Sequence, residues 1–198
     1  MGFHPLFGVK PIRVQPLLTG FHAIYVPAGA MRPTVSNGCA SLVDVETTAG
    51  RPDMQVLDFD ASADEHSQFG VGFPSSWNEG PVRFAGYWTT AGAVSTGIAM
   101  GLQGVAVADG ETIDVAYGTA VVVTDDAQGT AEDLIITDVS ADITLAGLPA
   151  TSTIGRPVRA MSFFRLLRDV SDGNDDMTQD MRLLGVQVLY KVIKGTDT

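Results

Sequence analysis

The chain has 198 residues, of which 45% are hydrophobic and 18% charged, so it can bury a core and wholesale disorder is excluded. Its formal net charge of −11 argues against nucleic acid as a partner, because phosphate binding requires basic surface. A single cysteine excludes an internal disulfide and fits synthesis in a reducing cytoplasm, and no apolar run approaches the roughly 20 residues of a membrane span.

The first 19 residues differ from the rest of the chain. Three prolines block a helix and favour extended backbone, and large apolar residues lie between them. Residues 1–33 carry three basic residues and no acid, whereas residues 44–142 carry 17 Asp and Glu against two arginines. We expect residues 1–19 to form an extended N-terminal arm that docks in a groove on its own body or on a neighbouring subunit; a frayed terminus is the alternative. The residues expected to dock are Phe3, Phe7, Lys10, Ile12, Arg13, Leu17 and Arg32.

Residues 20–198 have the pattern of one β domain. Short segments with alternating or continuous apolar residues are separated by Gly, Pro and Asp turns, and no long amphipathic helix is present. The predicted strands cover residues 23–26, 56–61, 82–89, 97–108, 119–124, 134–137, 143–146 and 181–193. Residues 34–53 suit a loop or a short strand anchored by Leu42, Val43 and Val45, and residues 158–168 fit a core strand better than a helix. Residues 113–117 suit either a short helix or a short strand. The pattern predicts an all-β fold, an antiparallel, jelly-roll-like β sandwich behind the N-terminal arm.

Carboxylates are concentrated in residues 54–90. Paired carboxylates can act as acid and base in glycoside cleavage, but alternating acids on a strand are ordinarily solvated surface. We therefore expect surface rather than catalysis, and no enzyme. The residues concerned are Asp58, Asp60, Asp64, Glu65 and Glu79.

No metal or cofactor site is predicted. The acidic run 169–176 has the composition of a calcium loop but not the EF-hand spacing, and an acidic hairpin turn is the favoured interpretation. The same interpretation applies to the acids at positions 125, 126, 132 and 133. His4, His22 and His66 share no ligand spacing, nucleophile-elbow and phosphate-loop motifs are absent, and Cys39 is expected to be a small buried residue.

Three aromatic residues offer a different function. Trp77, Tyr87 and Trp88 could stack on a sugar ring, because an aromatic face binds the apolar side of a pyranose. Tryptophan in the middle of a sandwich strand is more often part of the core, and packing is the favoured interpretation for both tryptophans.

An ordered set of short motifs resembles a family of accessory virion proteins from tailed phages. The resemblance covers roughly residues 21–193 and leaves the arm unmatched. Its motifs are IYVPA at 24–28, AMRP at 30–33, LDFDAS at 57–62 with DE at 64–65, FPSSWNEG at 73–80, YWT at 87–89, the segment 102–110, and LLGV at 183–186.

The resemblance implies an accessory structural protein with a β-sandwich body, a homotrimer, placed on the capsid or at a fibre. Because a basic, apolar arm precedes an acidic body, we expect a capsid decoration (cement) protein that binds the outer face of the shell of major capsid protein and stabilises it. Its location would be the virion, after synthesis in the host cytoplasm, with no nucleic-acid or membrane partner. The alternative is a carbohydrate- or receptor-binding module of a head spike or tail fibre that uses Trp77, Tyr87 and Trp88. Glycan hydrolysis by the carboxylates of residues 54–90 is the least favoured hypothesis.

Overall fold

The protein is all-β, with two antiparallel sheets that enclose one apolar core. The computed structural model describes residues 20–148 and 160–192. The strands are β1 (Phe21–Pro27), β2 (Arg32–Pro33), β3 (Val43–Val45), β4 (Met54–Phe59), β5 (Glu65–Val71), β6 (Trp77–Thr89), β7 (Gly97–Ala108), β8 (Val121–Asp126), β9 (Ile135–Ile136), β10 (Ala160–Arg168) and β11 (Met181–Val192), with one 3-10 turn at Ala28–Ala30. The predicted sandwich is confirmed, whereas the N-terminal arm lies outside the described residues.

Sheet I is organised around β11. Its order is β3-β4-β11-β6-β9, and β1 lies beside β4 along the same edge of β11. Residues 181–183 of β11 pair with β4, and residues 185–191 pair with β1. Sheet II has the order β2-β5-β10-β7-β8. Successive strands often lie in different sheets, so most strands pair with partners that are distant in the sequence.

Aromatic rings from both sheets meet in the core. The Phe73 ring centroid is 4.3 Å from that of Trp77, 6.3 Å from that of Phe164 and 5.4 Å from that of Tyr190. Phe69 stacks on Phe164 with centroids 5.2 Å apart. Such offset and edge contacts add to the free energy of burial, so this cluster holds β5, β6, β10 and β11 together.

Most predicted strands are confirmed, with four differences. β5 was not predicted. Residues 113–117 form neither a helix nor a strand. Residues 143–146 contribute single bridges instead of a strand, from Ile143 to Val82 of sheet I and from Ala146 to Val105 of sheet II. The segment therefore links the two sheets through hydrogen bonds to one strand of each. The connection from β10 to β11 joins different sheets, so the predicted acidic hairpin over residues 169–176 is wrong.

A bulge in β11 changes which leucine enters the core. The register against β6 shifts between Leu183 and Gly185. Val186, Val188 and Tyr190 point inward as the two-residue period predicts, but Leu183 is fully buried while Leu184 is half-buried. Gly185 leaves room for β1 here, since a Cβ atom at this position would lie 2.6 Å from the Tyr25 hydroxyl oxygen.

The edge of β6 is closed by hydroxyl groups in place of a regular strand. The Phe84 amide donates to Ser140 Oγ at 3.0 Å, and the Gly86 amide donates to Thr137 Oγ1 at 2.9 Å. The Ser140 amide in turn donates to the Phe84 carbonyl, and the Thr137 amide donates to the Gly86 carbonyl. The irregular segment after β9 thereby satisfies a sheet edge that would otherwise be open to other chains.

Replacing either hydroxyl should destabilise the domain. We expect Thr137→Val and Ser140→Ala each to lower the free energy of unfolding by about 1–3 kcal/mol, because each leaves a buried amide without an acceptor. Equilibrium urea denaturation measures the change. Thr89→Val is the matched control: Thr89 is 1% exposed and its hydroxyl oxygen has no hydrogen-bond partner, so this variant should be neutral or slightly stabilised. Equal losses at positions 89 and 137 would contradict the role of the hydroxyl.

Candidate interaction surface

Arg32 is the predicted docking residue that lies within the described part of the chain. It belongs to β2 and its side chain is exposed on the face of sheet II that points away from the core, here called the outer face of sheet II. The other predicted docking residues lie outside the described residues: Phe3, Phe7, Lys10, Ile12, Arg13 and Leu17.

A polar row crosses the outer face of sheet II. Arg32 is in register with Gln68 of β5, Gln68 with Arg165 of β10, and Arg165 with Gln103 of β7. Residues directly opposite each other in a sheet share a face, so the four side chains form one line over strands about 4.8 Å apart. Arg165 Nε donates to Gln103 Oε1 at 2.7 Å, which fixes the orientation of the guanidinium group.

Tyr117 comes to this row from the segment between β7 and β8. The Arg165 guanidinium carbon lies 5.2 Å from the Tyr117 ring centroid, within the range of a cation–π contact. Burial raises the pKa of the Tyr117 hydroxyl, and the positive charges of Arg165 and Arg32 oppose that rise. We call Arg32, Tyr117 and Arg165 the arginine cluster.

The two cations of this cluster are not neutralised by the described part of the chain. Three other arginines pair with carboxylates: Arg83 with Asp142 at 2.5 Å, Arg168 with Asp175 at 2.8 Å, and Arg182 with Asp58 at 3.6 Å. Among residues 20–148 and 160–192, no carboxylate forms an ion pair with Arg32 or Arg165. Arg51 likewise pairs with no described carboxylate, but Arg32 and Arg165 lie in one row, so this row carries two positive charges that the described residues do not neutralise.

Two grooves with exposed apolar side chains lie along β10 near Met161 and Phe163, and Arg32 of the arginine cluster lines one of them. One groove, of about 390 Å³, is lined by Met31, Arg32, Phe69, Gly70 and Phe163 among others. The other, of about 350 Å³, is lined by Val107, Ile113, Met161, Phe163, Asp109 and Glu111 among others. Met161 and Ile113 are 41% and 69% exposed. The outer face of sheet II therefore combines exposed apolar surface, an aromatic ring and arginine, the residue types enriched in protein interfaces.

Trp77 and Trp88 do not form the sugar platform considered above. They are 1% and 0% exposed, and both rings belong to the core between the sheets. Neither indole nitrogen has a hydrogen-bond partner. A sugar could reach these rings only if the sandwich opened, so that hypothesis is wrong for the two tryptophans, and the packing interpretation holds.

Tyr87 alone of the three predicted sugar-binding residues reaches the surface. It is half-buried on the outer face of sheet I, beside Tyr25, which is 48% exposed. The ring centroids are 5.2 Å apart in an edge arrangement, and the Tyr25 hydroxyl donates to the Leu184 carbonyl at 3.1 Å. Burial raises the pKa of Tyr25, with a smaller contribution from Tyr87.

The carboxylates of residues 54–90 mostly serve local structure. Asp60 accepts hydrogen bonds from the amide and hydroxyl of Ser62, both at 2.5 Å, and these bonds lower the pKa of Asp60. Glu65 accepts from the Asp60 amide at 2.7 Å. Burial raises the pKa of Asp58, and the nearby Arg182 opposes this. Glu79 lies in β6 in the left-handed backbone region, with φ of 57°. Asp60 and Glu65 therefore stabilise the turn between β4 and β5.

The acidic segment after β10 is held by a buried arginine. Arg168 is 0% exposed, and its Nε and Nη2 atoms donate to the two oxygens of Asp175 at 2.9 and 2.8 Å. Its remaining donors reach the carbonyls of Phe59, Met177 and Gln179. Asp175 also accepts from the Ala99 amide at 3.1 Å. The segment is thus tied to β4 and β7, and its central carboxylate is committed to Arg168.

Cys39 is buried, as expected, and should be unreactive in the folded protein. It is 6% exposed, and burial raises the pKa of its thiol to about 12, with a further contribution from the negative charges of Glu65 and Asp58. At pH 8 about one molecule in ten thousand would carry the thiolate, the form that reacts. We expect no labelling by a disulfide reagent at pH 8 under native conditions and complete labelling after unfolding in guanidinium. Rapid native labelling would contradict this burial.

No family model matches the chain, and no curated protein matches it. Solved structures of similar shape include the CBM36-1 domain of a multidomain xylanase from the hindgut metagenome of Trinervitermes trinervoides, with 7% identity and a TM-score of 0.43 over 87% of this chain and 99% of that one. Another is the family 11 carbohydrate-binding module of Clostridium thermocellum, with 7% identity and a TM-score of 0.37 over 92% and 95%. A third is the infectious bursal disease virus Gx strain, with 13% identity and a TM-score of 0.34 over 98% and 38%. Because these TM-scores are below 0.5, the fold assignment rests on the strand order described above.

Two searches of the described residues gave negative results. Within residues 20–148 and 160–192, no three His, Cys, Asp or Glu side chains are grouped so that they could hold a metal ion. In the same ranges, no helix has the length and apolar character needed to cross a membrane.

Proposed function

We propose that this protein is an accessory structural protein of a tailed-phage virion, a capsid decoration protein that docks on the major capsid protein through the outer face of sheet II. The observation that carries the proposal is the arginine cluster together with the exposed apolar residues Met161 and Ile113, which line a groove along β10. Arginine, methionine and aromatic residues, which are enriched in protein interfaces, are concentrated there. The family resemblance implies a homotrimer on the capsid or at a fibre, and the basic arm ahead of an acidic body favours the capsid shell as the partner.

The N-terminal arm adds a second contact in this proposal. An extended, apolar and basic segment can add a strand to a neighbour or fill a groove, which is recognition through the main chain. Arg32 lies shortly after the arm in sequence and belongs to the arginine cluster. We infer that the arm and the outer face of sheet II engage the capsid together.

Binding to shells that lack the protein tests the proposal. The full chain is mixed with shells assembled from the major capsid protein of the phage, and bound protein is measured by co-sedimentation. We expect saturable binding and a higher melting temperature of the shell. The double variant Met161→Asp/Ile113→Asp and deletion of residues 1–19 should each weaken binding by about tenfold or more, because each removes desolvated apolar contacts.

Val35→Asp is the matched control for this experiment. Val35 is fully exposed in the loop after β2, outside both grooves. The variant should bind shells like the wild type. Absence of co-sedimentation by the wild type would overturn the proposed function, and equal losses for all the aspartate variants would overturn the assignment of the docking face.

The carbohydrate-binding alternative is supported by one feature, the exposed ring pair Tyr25–Tyr87 on the outer face of sheet I. A glycan site in this protein would be centred there, since tyrosine rings present an apolar face beside a polar hydroxyl. In a glycan array, binding that disappears in Tyr25→Ala/Tyr87→Ala would favour this function over docking.

A further inference from the structure

We infer that the arginine cluster is a carboxylate-binding site that recognises an acidic side chain on an extended segment of the partner protein. The inference rests on the proposed function only for the identity of that partner. The inference names a carboxylate as the ligand of Arg32, Tyr117 and Arg165. It also predicts how far, along the ligand peptide, the apolar residues lie from the acidic one.

The geometry of the row supports a single oxyanion. Arg32 and Arg165 are separated by one strand, so their Cα atoms lie about 10 Å apart and two long side chains can converge on a group between them. The Arg165 guanidinium is held at its Nε by Gln103 and at its face by Tyr117. Among residues 20–148 and 160–192 no acceptor binds its terminal nitrogens, so they can donate to a ligand. A planar guanidinium with two parallel donors matches a carboxylate.

The surroundings disfavour a longer polyanion. Asp109 and Glu111 line the groove on the β7 side, and the chain as a whole has a charge of −11. These negative charges would repel a nucleic acid or a polyphosphate, which extends beyond the arginine cluster. One carboxylate with apolar neighbours would not reach them. The charge complementarity therefore favours an isolated acidic residue.

The apolar grooves define the residues next to that carboxylate. Phe163 lies two residues before Arg165 on the same face of β10, about 6.6 Å away along the strand. Met161 lies two residues further. An extended peptide that lies along β10 also presents every second residue to the same side. The favoured ligand segment therefore carries an apolar residue two positions from its acidic residue.

A short peptide tests this assignment without the capsid. The probe is the acetylated and amidated hexapeptide Ser-Leu-Ser-Glu-Ser-Leu, titrated into the full-length protein and followed by NMR chemical shifts at low salt. We expect saturable shifts on β5 and β10. A peptide with Gln in place of Glu should bind about tenfold more weakly or worse, because a charge-assisted pair becomes a neutral one.

Matched variants separate the site from the net charge. Arg32→Gln/Arg165→Gln should weaken binding of the Glu peptide about tenfold or more, and Arg32→Gln alone, at an exposed position, covers the case in which the double variant does not fold. Arg51→Gln/Lys191→Gln removes two positive charges elsewhere and should bind like the wild type. Equal weakening in both double variants would overturn the inference.

Three other outcomes would also overturn it. They are equal binding of the Glu and Gln peptides, binding of inorganic phosphate without binding of the peptide, and self-association of the protein that Arg32→Gln/Arg165→Gln abolishes while the peptide does not bind. The last outcome would make a second copy of this chain the occupant. If the peptide does not bind but the protein still binds shells, the carboxylate site is overturned and the proposed function is retained. If the peptide binds but the protein does not bind shells, the proposed function is overturned and the carboxylate site is retained.

Discussion

Arg168→Met should lower the free energy of unfolding by about 3–5 kcal/mol, the cost of breaking a buried ion pair by removal of one partner. Methionine keeps much of the side-chain volume, so the loss comes from the charge and the hydrogen bonds. The variant leaves Asp175 buried without its cation, at a side-chain exposure of 1%, and leaves the carbonyls of Phe59, Met177 and Gln179 without these donors. Equilibrium denaturation in guanidinium, followed by tryptophan fluorescence, measures the change.

Arg182→Met is the matched control for this prediction. Arg182 and Asp58 have side-chain exposures of 21% and 25%, and their ion-pair atoms are 3.6 Å apart. A pair that is accessible to water contributes about 0–1 kcal/mol, so the control should unfold close to the wild-type midpoint. Asp175→Asn, which leaves the Arg168 charge buried, should resemble Arg168→Met. Similar stabilities for Arg168→Met and Arg182→Met would show that the acidic segment does not hold the sheets together.

The role of Arg168 illustrates what the sequence could not supply. Its position at the end of an apolar run marks it as the last residue of a strand, and the acids that follow resemble a solvated turn. The Phe59 carbonyl that it contacts is 109 residues away, and a partner at that separation follows only from the pairing of the strands. A local pattern assigns an arginine to the surface by default, because buried arginine requires a full set of acceptors.

The strands themselves were largely predictable, and the exception is informative. β7, β10 and β11 are long, with many apolar residues, and their positions follow from the sequence. β5 also alternates, with Ser67, Phe69 and Val71 facing inward, but a serine weakens the apolar contrast. The buried Ser67 hydroxyl lies 3.8 Å from the sulfur of Met31, the residue immediately before β2. Tertiary contacts therefore stabilise a strand whose own pattern is faint.

The proposed docking surface is partly predictable from the sequence. The basic character of the first 33 residues indicates Arg32, whereas Arg165 and Tyr117 are not among the predicted docking residues. A signal for Arg165 is present: in the strand AMSFFRLLR it has the same parity as Met161 and Phe163, so it must share their face. Nothing local places Tyr117 over that face, since residues 113–117 form no regular element and reach sheet II only through the loop between β7 and β8.

Trp88→Ala should destabilise the domain by about 3–5 kcal/mol, the range for truncation of a buried aromatic residue in a core. The Trp88 side chain is 0% exposed near the C-terminal end of β6, where it is in register with Leu183 of β11 on one side and Ile135 of β9 on the other. Trp88→Phe should lose well under half of that amount, since it retains an aromatic ring and removes an indole N–H that has no acceptor. Thermal and urea denaturation of both variants measure the difference.

This stability effect decides how the carbohydrate-binding alternative must be tested. Loss of glycan binding in Trp88→Ala would follow from loss of folded protein whether or not Trp88 touches a sugar. Tyr87→Ala removes a half-exposed ring from the neighbouring position of the same strand, so it should cost far less stability while still removing the surface aromatic group. If Trp88→Ala instead retained wild-type stability and lost glycan binding alone, the tryptophan would have to be accessible in solution, and the core position described above would be wrong.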